Sequence, residues 1–199
     1  MKTKNVVAFG ALSIAICLPG VAIGQDSGPY LGGAIGRSDL KRACDDLPAG
    51  LSCKKTAPGW KFFGGYQFTR YWGIEGEFAE FGKAKANGTF LGFPASADAQ
   101  VWGWGLFGTG TLPVSRQFDL FAKLGFFRGI VDTRATVDTT TANLSGTATK
   151  GAFGAGAKWN FSGNWAARLE WERLKNMGTP ATGSAGNVDF ISVGIEYKL

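Results

Sequence analysis

Apolar and polar residues alternate along most of this chain. At its end Ile191, Val193, Ile195, Tyr197 and Leu199 share one parity, and Ser192, Gly194, Glu196 and Lys198 the other. Successive side chains of a strand point to opposite faces, so this period of two predicts a strand with one apolar face. Trp102, Trp104 and Leu106 alternate in the same way with Val101, Gly103 and Gly105. Ile74 and Phe78 alternate with Glu75 and Glu77, and Trp165, Leu169 and Trp171 with Arg168, Glu170 and Glu172. Bulky apolar residues face one way and small or ionic ones the other, which is the outward-apolar, inward-polar dyad of a transmembrane barrel. A soluble sandwich would bury its apolar faces instead and carry few aromatics on the exposed ones.

The pattern predicts eight strands, near 30–37, 59–68, 71–81, 99–112, 118–130, 147–161, 164–175 and 188–199. Most reach the 9–11 residues that a tilted strand needs to cross hydrocarbon. The connections 69–70, 113–117 and 162–163 are short. Those at 38–58, 82–98, 131–146 and 176–187 are long and rich in Gly, Ala, Ser, Thr, Asn and Asp. Short turns at one end and long loops at the other predict an all-β, eight-stranded, antiparallel up-and-down barrel, with periplasmic turns, extracellular loops and both termini in the periplasm. Tyr30, Phe68, Tyr71, Trp72, Phe118, Trp159, Phe161, Trp165 and Tyr197 fall at the short-turn ends and predict an inner aromatic girdle. Trp60, Phe81, Trp102 and Trp171 are expected to supply the opposite one.

The first residues read differently. Lys2 and Lys4 precede an apolar run from Val6 to Leu18, and Ala22-Ile23-Gly24 offers a small-x-small cleavage site, so residues 1–24 are expected to be a signal peptide and 25–199 the mature barrel domain. Ile16 before Cys17 disfavours a lipoprotein. Removing the leader lowers the formal net charge from +6 to +4 and leaves two cysteines, Cys44 and Cys53. An even pair, nine positions apart in an exported chain and flanked by polar and turn residues, is expected to form a disulfide in the first long loop, with two free thiols as the alternative.

Composition narrows the chemistry. The chain has no His, which excludes His-dependent triads and His-ligated metals; no catalytic residue, cofactor or metal is expected. The 31 glycines fit tight packing inside a closed sheet, and the Gly-rich pairs lie within strands rather than at phosphate-binding turns. Strand parity turns Lys61, Lys123, Lys158, Arg168 and Lys198 inward, together with Glu75, Glu77, Glu170, Glu172 and Glu196. An eight-stranded barrel is just wide enough for side chains to fill, so these charges predict a paired polar core rather than a wide pore. Lys41, Arg42, Lys54, Lys55, Lys83 and Lys85 fall at the loop-side rim, joined there by Arg37, Arg134, Lys150, Arg173 and Lys175. Two readings of the rim stand side by side: contacts with lipopolysaccharide phosphates or acidic glycans, or a solvated loop surface.

Phe63-Gly64-Gly65-Tyr66-Gln67, a short turn, and then Tyr71, Gly73 and Glu75 resemble the second hairpin of the OmpA-like transmembrane barrel family. Ala167-Arg168-Leu169-Glu170-Trp171 is similar to its seventh strand. The resemblance implies a central lumen ion pair whose matching positions here are Glu75 and Arg168. Where the family has a strand-six Glu and a strand-four Lys, this chain has Lys158 and Thr109, so Glu75 is expected to be shared between Arg168 and Lys158, with Glu170 as a second acceptor and Lys123 nearby. With the sequence ending at Leu199, Leu stands where the family's barrel usually ends in Phe, and no peptidoglycan-binding domain or cell-wall tether is expected.

These readings combine into a monomeric, non-enzymatic outer-membrane barrel with a structural role, a plugged lumen and loops available for adhesion. The alternative is a narrow or gated channel for ions or small solutes. Expected partners are outer-membrane lipids including lipopolysaccharide, the assembly machinery and periplasmic chaperones, and a host or surface ligand at the loops; nucleic acid is not expected.

Overall fold

A computed structural model describes residues 27–41, 51–90, 93–137, 140–177 and 186–199. Among the described residues, nine strands follow one another: β1 (Gly28–Leu40), β2 (Leu51–Lys54), β3 (Thr56–Gln67), β4 (Trp72–Phe90), β5 (Phe93–Pro113), β6 (Phe118–Val137), β7 (Thr140–Ser162), β8 (Trp165–Met177) and β9 (Gly186–Lys198). All pairings are antiparallel, and the sheet runs β4-β3-β1-β9-β8-β7-β6-β5 before β5 pairs back onto β4, so eight strands close into a barrel. The short β2 is an outlying piece that pairs with the upper part of β4.

The stagger of the barrel follows from its register. Thr149 pairs with Arg128, which pairs with Trp104, and the row continues through Phe78, Phe62, Gly33, Ile195 and Ala167 to Trp159. It returns to β7 ten residues from where it began. Ten residues over eight strands is about 1.25 residues of stagger per strand, which tilts the strands by roughly 40°. A residue's height therefore depends on its strand as well as on its distance from the nearest turn.

Parity is obeyed throughout the membrane band. Leu124, Phe126, Leu106, Ile35, Phe62 and Val193 are exposed on the outside, whereas Lys123, Phe107, Glu75, Glu77 and Arg168 are buried inside. Ten residues separate Phe118, at the periplasmic edge, from the outward Arg128. At about 3.3 Å per residue and this tilt, the outward apolar band is roughly 25 Å tall, the thickness expected of such barrels. Level with Arg128 stand Arg37 on β1, Glu80 on β4, Arg173 on β8 and Asp189 on β9, so outward charge begins at one height around the wall.

The periplasmic turns are short, as expected. Thr69 Oγ1 accepts hydrogen bonds from the Tyr71 and Trp72 amides, and Ser115 Oγ from those of Gln117 and Phe118. The opposite ends differ from the sequence reading. Segments 82–98 and 131–146, expected to be loops, are largely strand, and they carry the β4–β5 and β6–β7 hairpins about ten residues beyond the charged level. Their Gly, Ala, Ser and Thr content conceals a weak alternation that cross-strand pairing stabilises. Gly82, at φ +72°, marks a bulge between Glu80 and Lys83; the extra residue keeps Lys83 and Lys85 outward while Ala84 and Ala86 turn in. A Cβ on Gly82 would lie 2.1 Å from the Pro58 carbonyl oxygen.

Two expected girdle members are corrected. Tyr30 is 4% exposed and Phe81 fully buried, because both occupy inward parity positions. Sequence position at a strand end does not by itself turn a ring to lipid. The other short-turn aromatics remain outside, and Trp60, Phe62, Phe78 and Trp102 form a contiguous outer chain of ring contacts at 5.3–6.1 Å.

Candidate functional site

The interior is built in storeys. Inward glycines leave room for inward rings: a Cβ on Gly32 would fall 2.5 Å from the Phe63 ring, and one on Gly156 2.6 Å from Phe121. Those two rings flank the Arg168 guanidinium, whose carbon lies 4.3 Å from the centroid of Phe63 and 4.2 Å from that of Phe121. The clamped guanidinium donates to Glu75 through Nη1 at 2.6 Å and Nη2 at 2.9 Å. It also reaches Glu170 from Nε at 2.9 Å and Glu196 from Nη1 at 3.3 Å. A planar fork suits such multiple carboxylate contacts.

Above it, towards the loops, Lys61 and Lys123 share three carboxylates. Lys123 lies 2.5 Å from Glu77, 2.7 Å from Glu170 and 2.9 Å from Glu172. Lys61 lies 2.8 Å from Glu170 and 2.9 Å from Glu172. Oxygens of Glu77, Glu170 and Glu172 approach within 4.8 Å of one another, close enough to ligate a cation, but the two ammonium groups already supply the neutralising charge there. Glu77 Oε1 and Glu172 Oε1 receive no hydrogen bond among the described residues.

The network pairs its members differently from the sequence expectation in one respect. Glu75 is not shared with Lys158. It accepts from Arg168 and from the Tyr30 hydroxyl at 3.0 Å, and Lys123 lies 3.5 Å away. Lys158 bonds Glu196 instead, at 2.8 Å. The stagger is the cause. Glu75 pairs with Phe107, Phe107 with Gly125 and Gly125 with Ala152; corrected for tilt, Lys123 and Gly156 are level with Glu75, and Lys158 lies two residues nearer the periplasm. Lys198, expected among the inward cations, is exposed at the periplasmic mouth, so four cations face five carboxylates in the buried network.

The loop-side half of the lumen departs further from expectation. Instead of continuing polar, it is filled by Phe81, Phe107, Phe127, Phe190, Val101, Val131, Leu174, Met177 and Val188. Phe81 meets Phe127 and Phe190 edge-on, at 5.5 and 5.3 Å. This apolar storey was signalled in the sequence only by parity, which places Phe81, Phe107, Phe127 and Phe190 on the faces that carry the charges.

At the rim, Lys41 pairs with Asp39 at 2.7 Å and Asp189 at 3.3 Å, and the Asp39 hydrogen bond holds its pKa above the ordinary lysine value. Lys54 lies opposite Lys85, and Lys85 opposite Asp98. Lys55 and Lys83 are exposed. Arg42 lies outside the described residues, as does Cys44; Cys53 sits on β2 opposite Ala86. Beyond the charged level, Asp132 accepts from Ser145 at 2.7 Å and from the Trp102 indole at 3.0 Å, and these bonds hold its carboxyl below the usual value. The register thus sets Lys54, Lys85 and Lys83 side by side on β2 and β4, apart from the paired Lys41, while the lumen brings Glu75, Arg168, Glu170 and Lys123 together.

A family model described as the outer membrane protein beta-barrel domain matches residues 8–198. Outer membrane protein A of Yersinia pseudotuberculosis is 26% identical over 202 residues, an alignment covering 95% of this chain and 55% of that protein. Its counterpart from Klebsiella aerogenes is likewise 26% identical over 203 residues, with the same coverage. The chain thus spans about half the length of the curated relatives it matches. Among solved structures, the outer membrane protein OprG of Pseudomonas aeruginosa superposes with a TM-score of 0.56 at 14% identity, covering 87% of this chain and 98% of that one. Ail, the attachment invasion locus protein of Yersinia pestis, gives 0.54 at 19% identity, covering 87% and 97%. At these identities the likeness is one of fold.

Proposed function

Because the chain belongs to the outer membrane protein beta-barrel family and resides in the bacterial outer membrane, we propose that it acts as a closed structural barrel whose raised hairpins present a surface for ligands. The observation that carries this reading is the filled lumen. Arg168, Lys61 and Lys123 are locked among Glu75, Glu77, Glu170 and Glu172, and four phenylalanines seal the storey above. Opening a path for ions would strip buried charges of their partners, at several kcal/mol each. Planar-bilayer recording of the refolded protein tests the reading: a silent bilayer is expected, and stable unitary conductance would favour the channel alternative.

The two hairpins, reaching about ten residues past the charged level, support the second half of the proposal, since sites for partners concentrate on elements held away from the scaffold. Exposed Lys54, Lys55, Lys83 and Lys85 suit phosphate or sulfate groups of lipopolysaccharide or acidic glycans. Substituting these four lysines with Gln should weaken adhesion of expressing cells to such surfaces without altering barrel folding. The proposal further includes cleavage of residues 1–24, delivery through periplasmic chaperones and the assembly machinery, a Cys44–Cys53 bridge, a monomeric state and no catalytic role.

A further inference from the structure

On the lipid-facing wall of β3, β1, β9 and β8 lies a groove of about 1100 Å³. Its floor is Gly33, an outward position without a side chain, so the backbone of Gly32, Ala34 and Gly194 also reaches its lining. Trp60 and Phe62 form one wall and Val193 and Ile195 the other, with Leu31 and Ile35 at either end of the floor on β1. The lining is almost wholly apolar and runs from Trp165 and Tyr197 of the periplasmic girdle up to Trp60 and Ile35 below the charged level, so the occupant is a hydrocarbon chain. Two residues above Ile35 on the same outward row stands Arg37, at the height where outward charge begins on the loop side. Arg37 is exposed and, among the described residues, its side chain takes part in no hydrogen bond or ion pair, unlike those of its neighbours Lys41 and Arg173, which are both paired with Asp189. The upper part of this groove, from Gly33 to Ile35 and Trp60, ends beneath an unpaired guanidinium at the extracellular boundary, and that combination fits an outer-leaflet amphiphile with an anionic head.

We propose that the Gly33 groove and Arg37 form a binding site for one lipopolysaccharide molecule, an acyl chain of its lipid A lying against Gly33 between Phe62 and Ile195 and a phosphate reaching Arg37. The proposal rests on the reading of lipopolysaccharide as a partner but assigns it to a different set of residues from the rim lysines. The planar fork of Arg37 suits phosphate recognition, and the low-dielectric boundary strengthens it.

Native mass spectrometry of the refolded full chain, titrated separately with bis-phosphorylated lipid A, phosphatidylglycerol and phosphatidylethanolamine, tests the site. Lipid A is expected to bind at one equivalent and to out-compete both phospholipids. Arg37→Gln should weaken lipid A binding by about tenfold, the loss expected for a charged hydrogen bond, and Gly33→Leu should weaken it at least as much by filling the groove and pushing aside the Phe62 ring, whose edge lies 3.3 Å from where a Gly33 Cβ would stand. Gly108→Leu, at a lipid-facing glycine outside the groove where an added Cβ would meet nothing nearer than the Leu124 carbonyl oxygen at 3.9 Å, should leave binding unchanged. Heat-dependent gel mobility establishes that each variant has folded. Equal lipid A binding by the wild type, Arg37→Gln and Gly33→Leu would overturn the proposal. So would phosphatidylglycerol binding as tightly as lipid A. Loss of binding in Lys83→Gln with Lys85→Gln but not in Gly33→Leu would overturn this site while leaving lipopolysaccharide as a partner.

Discussion

Arg168 grips Glu75 with both terminal nitrogens, at 2.6 and 2.9 Å, across the full width of the lumen from β8 to β4. Neither side chain reaches water, and each anchors a second contact: Tyr30 on Glu75 and Glu170 on Arg168. Removing one partner should leave an uncompensated buried charge. Glu75→Ala is therefore expected to cost about 3–5 kcal/mol in urea unfolding from lipid vesicles, and the double variant with Arg168→Ala should cost less than the sum of the two single losses. Strictly additive losses would mean that the pair is not coupled.

The pair was legible from the sequence because inward parity and resemblance to a family hairpin both pointed to it. The place of Lys158 was not. Its distance from the nearest turn suggested the height of Glu75, but height in a tilted barrel accumulates across strands, and no single strand carries that offset. The raised hairpins were missed for a different reason. Small residues at 82–98 and 131–146 lack the apolar contrast that marks a membrane strand, since both faces there meet water or only a narrow interior. Tyr30 was misplaced because an aromatic near a turn satisfies the girdle pattern in either parity, and only its alternation with Leu31 decides the face.

Lipid exposure gives a position-dependent prediction. Leu124, 71% exposed near the middle of the apolar band, should tolerate Arg poorly, at roughly 2–4 kcal/mol in the same unfolding measurement. Thr141→Arg, on the exposed upper part of β7, should cost less than about 1 kcal/mol. Comparable losses at the two sites would displace the membrane band from where the aromatics and Arg128 put it.

Asp132 makes the hairpin region sensitive to acid. Ser145 and the Trp102 indole hydrogen-bond its carboxylate, so its folded-state pKa lies below the ordinary value of 3.8. A depressed carboxyl pKa contributes stability that is present above the unfolded value and is lost as pH falls through the folded one. Protease protection of the β6–β7 hairpin should accordingly be level from neutral pH down to about the ordinary carboxyl range and decline below it. Asp132→Asn should remove that acid-dependent step while the barrel keeps its heat-resistant mobility.

The proposed Cys44–Cys53 bridge predicts that thiol reagents label neither residue before reduction. Because the loop it closes is short, its stabilisation should be about 2–3 kcal/mol and confined to the first extracellular segment. Reduction should open that segment to proteases and leave the barrel folded; quantitative labelling of the unreduced protein would exclude the bridge.

Inward glycines should differ sharply in what they tolerate. A Cβ at Gly156 would lie 2.2 Å from the Leu169 carbonyl oxygen and 2.6 Å from the Phe121 ring that flanks Arg168. The carbonyl belongs to a paired strand and cannot retreat without loosening the β7–β8 ladder, so Gly156→Ala should cost about 1–3 kcal/mol. At Gly129 the nearest atom, 2.2 Å away, is the terminal methyl of Met177, and the remaining near neighbours lie at 3.5 Å or beyond. A thioether end rotates out of the way, so Gly129→Ala should cost less than about 1 kcal/mol. Unfolding titrations of the two variants side by side distinguish a wall that needs glycine for space from one that merely contains it. Equal losses would show that the Phe121 and Arg168 storey is no more tightly built than the apolar storey above it.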